Sequence, residues 1–111
     1  MHPAVAALPK SIRIGGFDFK ILTVGSLKAQ AIRRYGECSC VEQEIRIAED
    51  MASAHIIVDT FFHECIHALY WAMGLDTAAD EEHVCGHLGT GLMMLHRDNP
   101  WLAPWIRDHV R

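Results

Sequence analysis

Hydrophobic and polar residues alternate one by one through two stretches near the start of the chain, a pattern typical of β-strands. These stretches cover residues 11–14 and 17–24, and the turn-forming pair Gly15-Gly16 separates them, so a β-hairpin is predicted. Two more short strands are predicted over residues 37–41 and 43–48, the second with its isoleucines on one face. The first half of the chain is therefore expected to form a small antiparallel sheet.

The second half of the chain has the three-to-four-residue spacing of amphipathic helices. Apolar residues at this spacing run from about Ala52 to Gly74, and Gly74 is a suitable residue to end a helix. Another long helix is predicted to begin at Thr77 or Asp80 and to run to about Asp98, because an Asn-Pro pair follows. These two helices are expected to form a hairpin that packs on the sheet.

Two shorter helices complete the predicted architecture. Ser26 is a suitable N-cap for a helix ending near Tyr35. Trp101 and Trp105 are four residues apart, which predicts a short closing helix lying on the core. The expected class is α+β, with a small sheet and short helix followed by two main helices and a C-terminal helix. We expect one domain over residues 1–111, with its first ten residues as a flexible tail.

The composition is that of an ordinary globular chain of 111 residues, of which 50% are hydrophobic and 22% charged. A net charge of −4 counts against a nucleic-acid partner, which would require a basic face. The longest apolar run, residues 56–75, does not suit a membrane span because four polar residues interrupt it: Asp59, His63, Glu64 and His67. We expect a soluble protein with no membrane partner. Nothing in the composition indicates an oligomeric state.

The chain has four cysteines, and their positions favour free thiols. Cys38 and Cys40 are too close along the chain for an ordinary disulfide, and they lack the two-residue gap of a zinc knuckle. Cys65 and Cys85 fall in predicted helices, where a thiol usually serves as a small core residue. All four are expected to be reduced, which indicates a cytoplasmic protein.

The segment His63-Glu64-Cys65-Ile66-His67 carries the candidate chemistry. Histidines four residues apart share one face of a helix, with Cβ atoms roughly 5–6 Å apart, and both can bind one zinc ion at about 2.0–2.1 Å. Glu64 is turned by about 100° around the helix, so it can take a proton from a zinc-activated water molecule without serving as a ligand. Apolar flanks surround the motif, and burying these polar groups without a partner would be costly.

A catalytic zinc site normally has three protein ligands and one open position. The next helix offers Glu81, Glu82 and His83 for the third ligand. Glu82 is favoured because the residues that share its helix face, Cys85 and Leu88 among them, are small or apolar and indicate an inward-packing face. Glu81 and His83 remain alternatives, and His83 would make an all-histidine site.

Other polar residues near the motif have possible supporting roles. Asp59 precedes His63 by four residues and is placed to accept a hydrogen bond from its ring, or to be a solvated helix carboxylate. Tyr70, His87 and His96 are candidates for stabilising an oxyanion, although none has a sequence signature for that role.

The motif and its apolar flanks resemble the zincin metallopeptidases. Residues 82–89 are similar to the second-helix motif of the ImmA/IrrE-type peptidases, in which a small residue and then an aromatic or aliphatic one follow the glutamate. Here Cys85 and Leu88 take those places, while Gly86 stands where asparagine is usual. Residues 95–101 look similar to small phage- or prophage-encoded members of this class. The resemblance implies a bound Zn²⁺ and, for a phage-encoded chain, the cytoplasm of a bacterial host.

A second family is similar at the motif. The ImmA/IrrE resemblance covers roughly residues 45–101, whereas residues 63–71 also resemble the start of the SprT-type zincins. Those proteins take a third histidine from a His-Gly pair, but neither His83 nor His87 is followed by glycine. Both families imply zinc and the same fold of a small sheet with helices.

The expected function is that of a zinc-dependent metallopeptidase acting on a protein or peptide substrate. In this hypothesis His63, His67 and Glu82 bind the metal, and Glu64 assists the attack of water on the peptide bond. The alternatives are a non-catalytic zinc-binding module and a SprT-like, nucleic-acid-associated protease.

Overall fold

The computed structural model of the chain describes residues 1–27, 35–75 and 81–110, except for the side chains at positions 81, 82, 85, 86 and 89. The short helix predicted from Ser26 falls mostly outside the described residues, as do Thr77 and Asp80, the predicted starts of the second long helix. The elements found in the described residues are α1 (Pro3–Ala6), β1 (Ser11–Ile14), β2 (Phe17–Val24), β3 (Gly36–Ser39), β4 (Glu44–Ala48), α2 (Ala54–Ala72), α3 (Glu81–Asp98) and α4 (Leu102–His109). The α+β class, the hairpin, both long helices and the closing helix are thereby confirmed.

The four described strands form one sheet in the order β1-β2-β4-β3. The β1–β2 and β3–β4 pairs are antiparallel, but β2 and β4 are parallel. The prediction of an antiparallel sheet was therefore wrong in this pairing. Strand β3 runs antiparallel to β4, and therefore also to β2, so it returns the chain to the end of the sheet from which β4 runs parallel to β2.

The hairpin turn brings the sheet close to the end of α2. Gly15 and Gly16 both have positive φ, at 58° and 91°, as a tight two-residue hairpin turn requires. A Cβ atom added at Gly15 would lie 2.6 Å from the Cβ of Ala72. Glycine is thus needed here both for the turn and for the close approach of the helix.

One face of the sheet forms the core together with α2. Strand register puts Ile21, Ile45 and Cys38 in one row across the sheet, and the two isoleucines are buried. The buried side of α2, which includes Phe61 and Leu69, contributes to the same cluster. No described helix is sufficiently long and apolar to cross a membrane.

The N-terminal residues are part of the core, so their prediction as a flexible tail was wrong. Ala4 and Val5 in α1 are buried, and the indole Nε1 of Trp105 donates a hydrogen bond to the Ala4 carbonyl at 3.0 Å. The Trp105 ring also lies 5.3 Å from that of Phe61, which confirms its expected role in the core. By contrast, Trp71 in α2 is 42% exposed and is not a buried core residue.

Buried Asn99 joins the end of α3 to the edge of the sheet. Its side-chain oxygen accepts a hydrogen bond from the Arg13 amide at 3.0 Å, and its Nδ2 donates to the Arg13 carbonyl at 2.8 Å. Nδ2 also donates to the Leu95 carbonyl at 2.8 Å. Asn99 therefore satisfies backbone groups on the outer edge of β1 as a neighbouring strand would.

Replacing Asn99 with alanine is expected to lower the free energy of unfolding by about 2–3 kcal/mol, because backbone groups at Arg13 lose their partners. Chemical denaturation would measure the loss. As a control, Arg107→Ala changes an exposed residue whose ion pair is with its neighbour Asp108, and should leave stability nearly unchanged. Equal stability of the Asn99 variant and the wild type would show that the hydrogen bonds from Asn99 to the Arg13 backbone do not stabilise the fold.

Candidate metal centre

Helix α2 presents the motif at the boundary between the core and solvent. The helix begins after Ser53, whose side chain accepts a hydrogen bond from the Ile56 amide. Glu64 lies on the buried side, whereas His63 and His67 are exposed. The helical period therefore separates the two imidazoles from the carboxylate, as the sequence predicted.

The two imidazoles converge on a common point. The Nε2 atoms of His63 and His67 are 3.2 Å apart, and the ring centroids are 4.9 Å apart. Two nitrogens bound to tetrahedral zinc at about 2.0–2.1 Å lie about 3.3–3.4 Å from each other. The observed separation thus fits bidentate binding of one metal ion with little movement of either ring.

Glu64 lies beneath this pair, between α2 and the edge strand β3. The residue is only 6% exposed. A Cβ atom placed on Gly36 would be 3.1 Å from Oε2 of Glu64 and 2.7 Å from Cγ2 of Thr60. The absence of a side chain at Gly36 therefore makes room for the carboxylate at this position.

A cleft of about 540 Å³ opens between α2 and β3. Its lining comes from the edge of the sheet and from one side of the helix: Tyr35, Gly36, Glu37, Cys38, Cys40, Asp59, Thr60, His63, Glu64 and His67. The strand follows the helix along this cleft, since Gly36 lies against Thr60 and Cys40 lies against His67, with Sγ 3.9 Å from the His67 carbonyl oxygen. The motif is therefore accessible from an open groove walled by the edge strand.

Burial raises the pKa of two thiols near the motif. Burial, followed by the neighbouring Cys40, raises the pKa of the Cys38 thiol to about 12. Burial likewise raises the pKa of Cys65, whose expected role as a core residue is confirmed by 1% exposure. Glu37 forms an ion pair with Arg46 at 2.9 Å, across the β3–β4 register.

The predicted third ligand, Glu82, has its side chain outside the described part of the structure. Among the described side chains, no group of three histidine, cysteine, aspartate or glutamate residues is placed to hold a metal ion. The side chain of His83 is among those described. It is exposed, and its ring lies 4.1 Å from that of His87. The structure therefore does not bring His83 to the imidazole pair, and the side chains of Glu81 and Glu82 are outside the description.

Of the four described polar residues predicted to support the motif, one lines the cleft and three do not. Asp59 lines the cleft, but the described structure has no hydrogen bond between it and His63. The described cleft lining does not include Tyr70, His87 or His96, and the ring Nδ1 of His96 lies 2.9 Å from the Leu92 carbonyl.

Sequence reasoning did not assign the residues of β3 to the site. Tyr35, Gly36, Cys38 and Cys40 line the cleft, but they precede the motif by more than twenty residues. Their contacts with α2 in the folded chain show that they face it. The Cys-Ser-Cys spacing was the one local signal, because alternate residues of a strand share a face.

Comparison with known proteins adds no assignment to this geometry. No protein-family model, curated protein or solved structure matches the chain. The resemblance to the ImmA/IrrE-type and SprT-type zincins therefore stays a prediction from the motif.

The close contact at Gly36 predicts a defined effect of adding one methyl group. Gly36→Ala is expected to lower the free energy of unfolding by about 1–3 kcal/mol, because the new Cβ overlaps Thr60 and crowds Glu64. Denaturant titration of the purified variant would measure this change.

Thr60→Ser supplies the matched partner for this test, since it removes the Cγ2 atom that lies 2.7 Å from the added Cβ position. The double variant should recover part of the lost stability, giving a favourable coupling free energy between the sites. Strictly additive effects of the two changes would contradict the contact.

Proposed function

We propose that this chain is a zinc-dependent metallopeptidase. The observation that supports the proposal is the convergence of the His63 and His67 imidazoles, with Nε2 atoms 3.2 Å apart, above the buried Glu64 at an open cleft. The donor set fits zinc, which binds neutral imidazole readily. Glu82 is proposed as the third ligand on the sequence argument alone.

Zinc, when bound, would supply Lewis acidity that polarises a peptide carbonyl and lowers the pKa of a water molecule. Glu64 would accept a proton from the attacking water at a carboxylate oxygen and then donate it to the departing amine nitrogen. Packing of Glu64 against Gly36 restricts the carboxylate, which favours a fixed position for this proton transfer.

The edge strand favours an extended peptide as the substrate. β3 is the last strand on its side of the described sheet, and it lines the cleft opposite His63 and His67. A peptide that adds to this edge would gain backbone hydrogen bonds and would place its carbonyl groups beside the imidazole pair. The cleft therefore suits an unfolded segment better than a compact domain.

Metal content and peptide cleavage together test the proposal. We expect one zinc ion bound at the motif in the purified wild type, and none there in the His63→Ala/His67→Ala variant. The wild type should cleave members of a quenched-fluorescence peptide library, lose activity with a chelator and regain it with added zinc. Failure to bind zinc would overturn the proposal, whereas zinc binding without cleavage would favour the non-catalytic zinc-binding module.

A further inference from the structure

Two thiols form a pair on the wall of the cleft. Cys38 lies on the edge strand β3, beside Ile45 of β4. Cys40 lies in the turn that follows β3. Their Sγ atoms are 3.9 Å apart, and both residues line the cleft. Neither forms a disulfide. The two sulfurs therefore face a common, solvent-accessible space.

The separation of the two sulfurs matches the bite of a metal ion. Two thiolates bound to a tetrahedral ion at about 2.3 Å each lie about 3.8 Å apart, close to the 3.9 Å observed. The strand register sets Cys38 opposite Ile45, and Cys40 is in contact with the His67 carbonyl oxygen. An ion can therefore bridge the sulfurs without a rearrangement of the main chain.

The single residue between Cys38 and Cys40 excludes a zinc knuckle, but it does not exclude a metal ion bound between the two sulfurs. A knuckle uses a two-residue gap to turn the backbone around the metal. Here the chain passes from β3 into a turn between the two cysteines, and a one-residue gap leaves their sulfurs 3.9 Å apart on the same cleft. Thiolate ligands favour zinc and other soft ions over hard ones such as Mg²⁺.

We propose that Cys38 and Cys40 form a second cation site, distinct from the imidazole pair, for a thiophilic ion such as Zn²⁺ or Cd²⁺. No third histidine, cysteine, aspartate or glutamate joins these sulfurs within the described side chains. Binding of the ion displaces both thiol protons to water, against the raised pKa of Cys38. The ion is then held by two thiolates, and its other positions face the cleft, where water or an added ligand can bind. This site lies on the strand wall, whereas the proposed catalytic ion belongs to α2.

Cadmium titration of the full chain tests this site separately from the proposed catalytic one. The His63→Ala/His67→Ala variant, reduced with a phosphine, removes the imidazole pair but keeps both thiols. Cadmium should produce a sulfur-to-metal charge-transfer absorption that saturates at one ion per chain. Replacing either Cys38 or Cys40 with serine should weaken binding at least about tenfold, since even the loss of an outer partner of a metal site typically costs about 10–100-fold.

Two controls address the other thiols. Cys65→Ala removes the buried thiol, which is 1% exposed, and Cys85→Ser removes the remaining one. Both should leave the absorption and its stoichiometry unchanged. Bound cadmium should also protect Cys38 and Cys40 from alkylation, as located by mass spectrometry.

The proposal is overturned if the absorption does not develop in the His63→Ala/His67→Ala variant, or if it persists undiminished in both serine variants. Loss of zinc from the imidazole pair alone would count against the proposed peptidase function and not against the thiol site. Conversely, an active one-zinc peptidase with no cadmium absorption would retain the proposed function and exclude the thiol site.

Discussion

Replacing Glu64 with glutamine is expected to lower the rate of peptide hydrolysis by about 10²- to 10⁴-fold, the usual contribution of a general base. The amide has nearly the shape of the carboxylate but cannot accept the proton from water at neutral pH. Glu64 is not expected to bind the metal, so the zinc content of the variant should equal that of the wild type. Steady-state rates on the best library peptide, with metal analysis of the same sample, would measure both quantities.

The matched control for this variant is Asp59→Asn. Asp59 lies on the same helix and lines the same cleft as Glu64, but it is exposed. The same change from carboxylate to amide should therefore leave the rate near that of the wild type. Full activity in Glu64→Gln would remove Glu64 as the base. Equal losses in both variants would indicate a general effect of negative charge in the cleft.

Glu64→Gln also requires a control for folding, because the residue is buried against β3. Thermal unfolding should be cooperative in the variant, and its zinc affinity should match that of the wild type. A loss of activity accompanied by a loss of zinc would indicate a displaced helix and would contradict a role confined to proton transfer.

Local patterns predicted the elements that depend on residues close together in the chain. The β1–β2 hairpin follows from strict alternation around Gly15-Gly16, and helix α2 follows from its apolar spacing between Ser53 and Gly74. The positions of His63 and His67 follow from the same helical period, which fixes them on one face before any tertiary contact forms. These features needed no information about distant residues.

Features that depend on distant contacts were missed or wrong. The parallel β2–β4 pair arises because β4 lies between β2 and β3 in the sheet, and the carbonyl of buried Ala4 accepts a hydrogen bond from Trp105, 101 residues away. A short apolar stretch containing two prolines has no period that distinguishes a buried helix from a tail. For the same reason the cleft wall formed by β3 could not be derived from the motif.

Replacing Glu82 with alanine is expected to weaken zinc binding by at least about 100-fold, since losing a direct ligand should cost no less than losing an outer partner. Glu81→Ala and His83→Ala are the neighbouring controls and should retain zinc. Competition with a fluorescent chelator would measure the three affinities. Retention of zinc by the Glu82 variant, with loss in either control, would move the third ligand to that residue.

The contact between α3 and α2 lies well along the helix from Glu82. α3 meets α2 through its second half: a Cβ on Gly91 would lie 3.0 Å from Cδ2 of Leu69. Glu82 precedes Gly91 by nine residues, roughly 13–14 Å of helix. Coordination by Glu82 therefore requires the first turn of α3 to approach the imidazoles.

Cys85 provides the decisive comparison, because it follows Glu82 in α3 by three residues, which is close to one helical turn. Cobalt substitution separates the two donors: a thiolate gives a sulfur-to-cobalt charge-transfer absorption, and a carboxylate does not. The measurement belongs in a Cys38→Ser/Cys40→Ser background, where the strand thiols cannot contribute. A cobalt complex without this absorption, whose affinity falls on Glu82→Ala, assigns the carboxylate. Absorption that is lost on Cys85→Ser would instead assign the thiolate, and the zinc would have a two-histidine, one-cysteine ligand set.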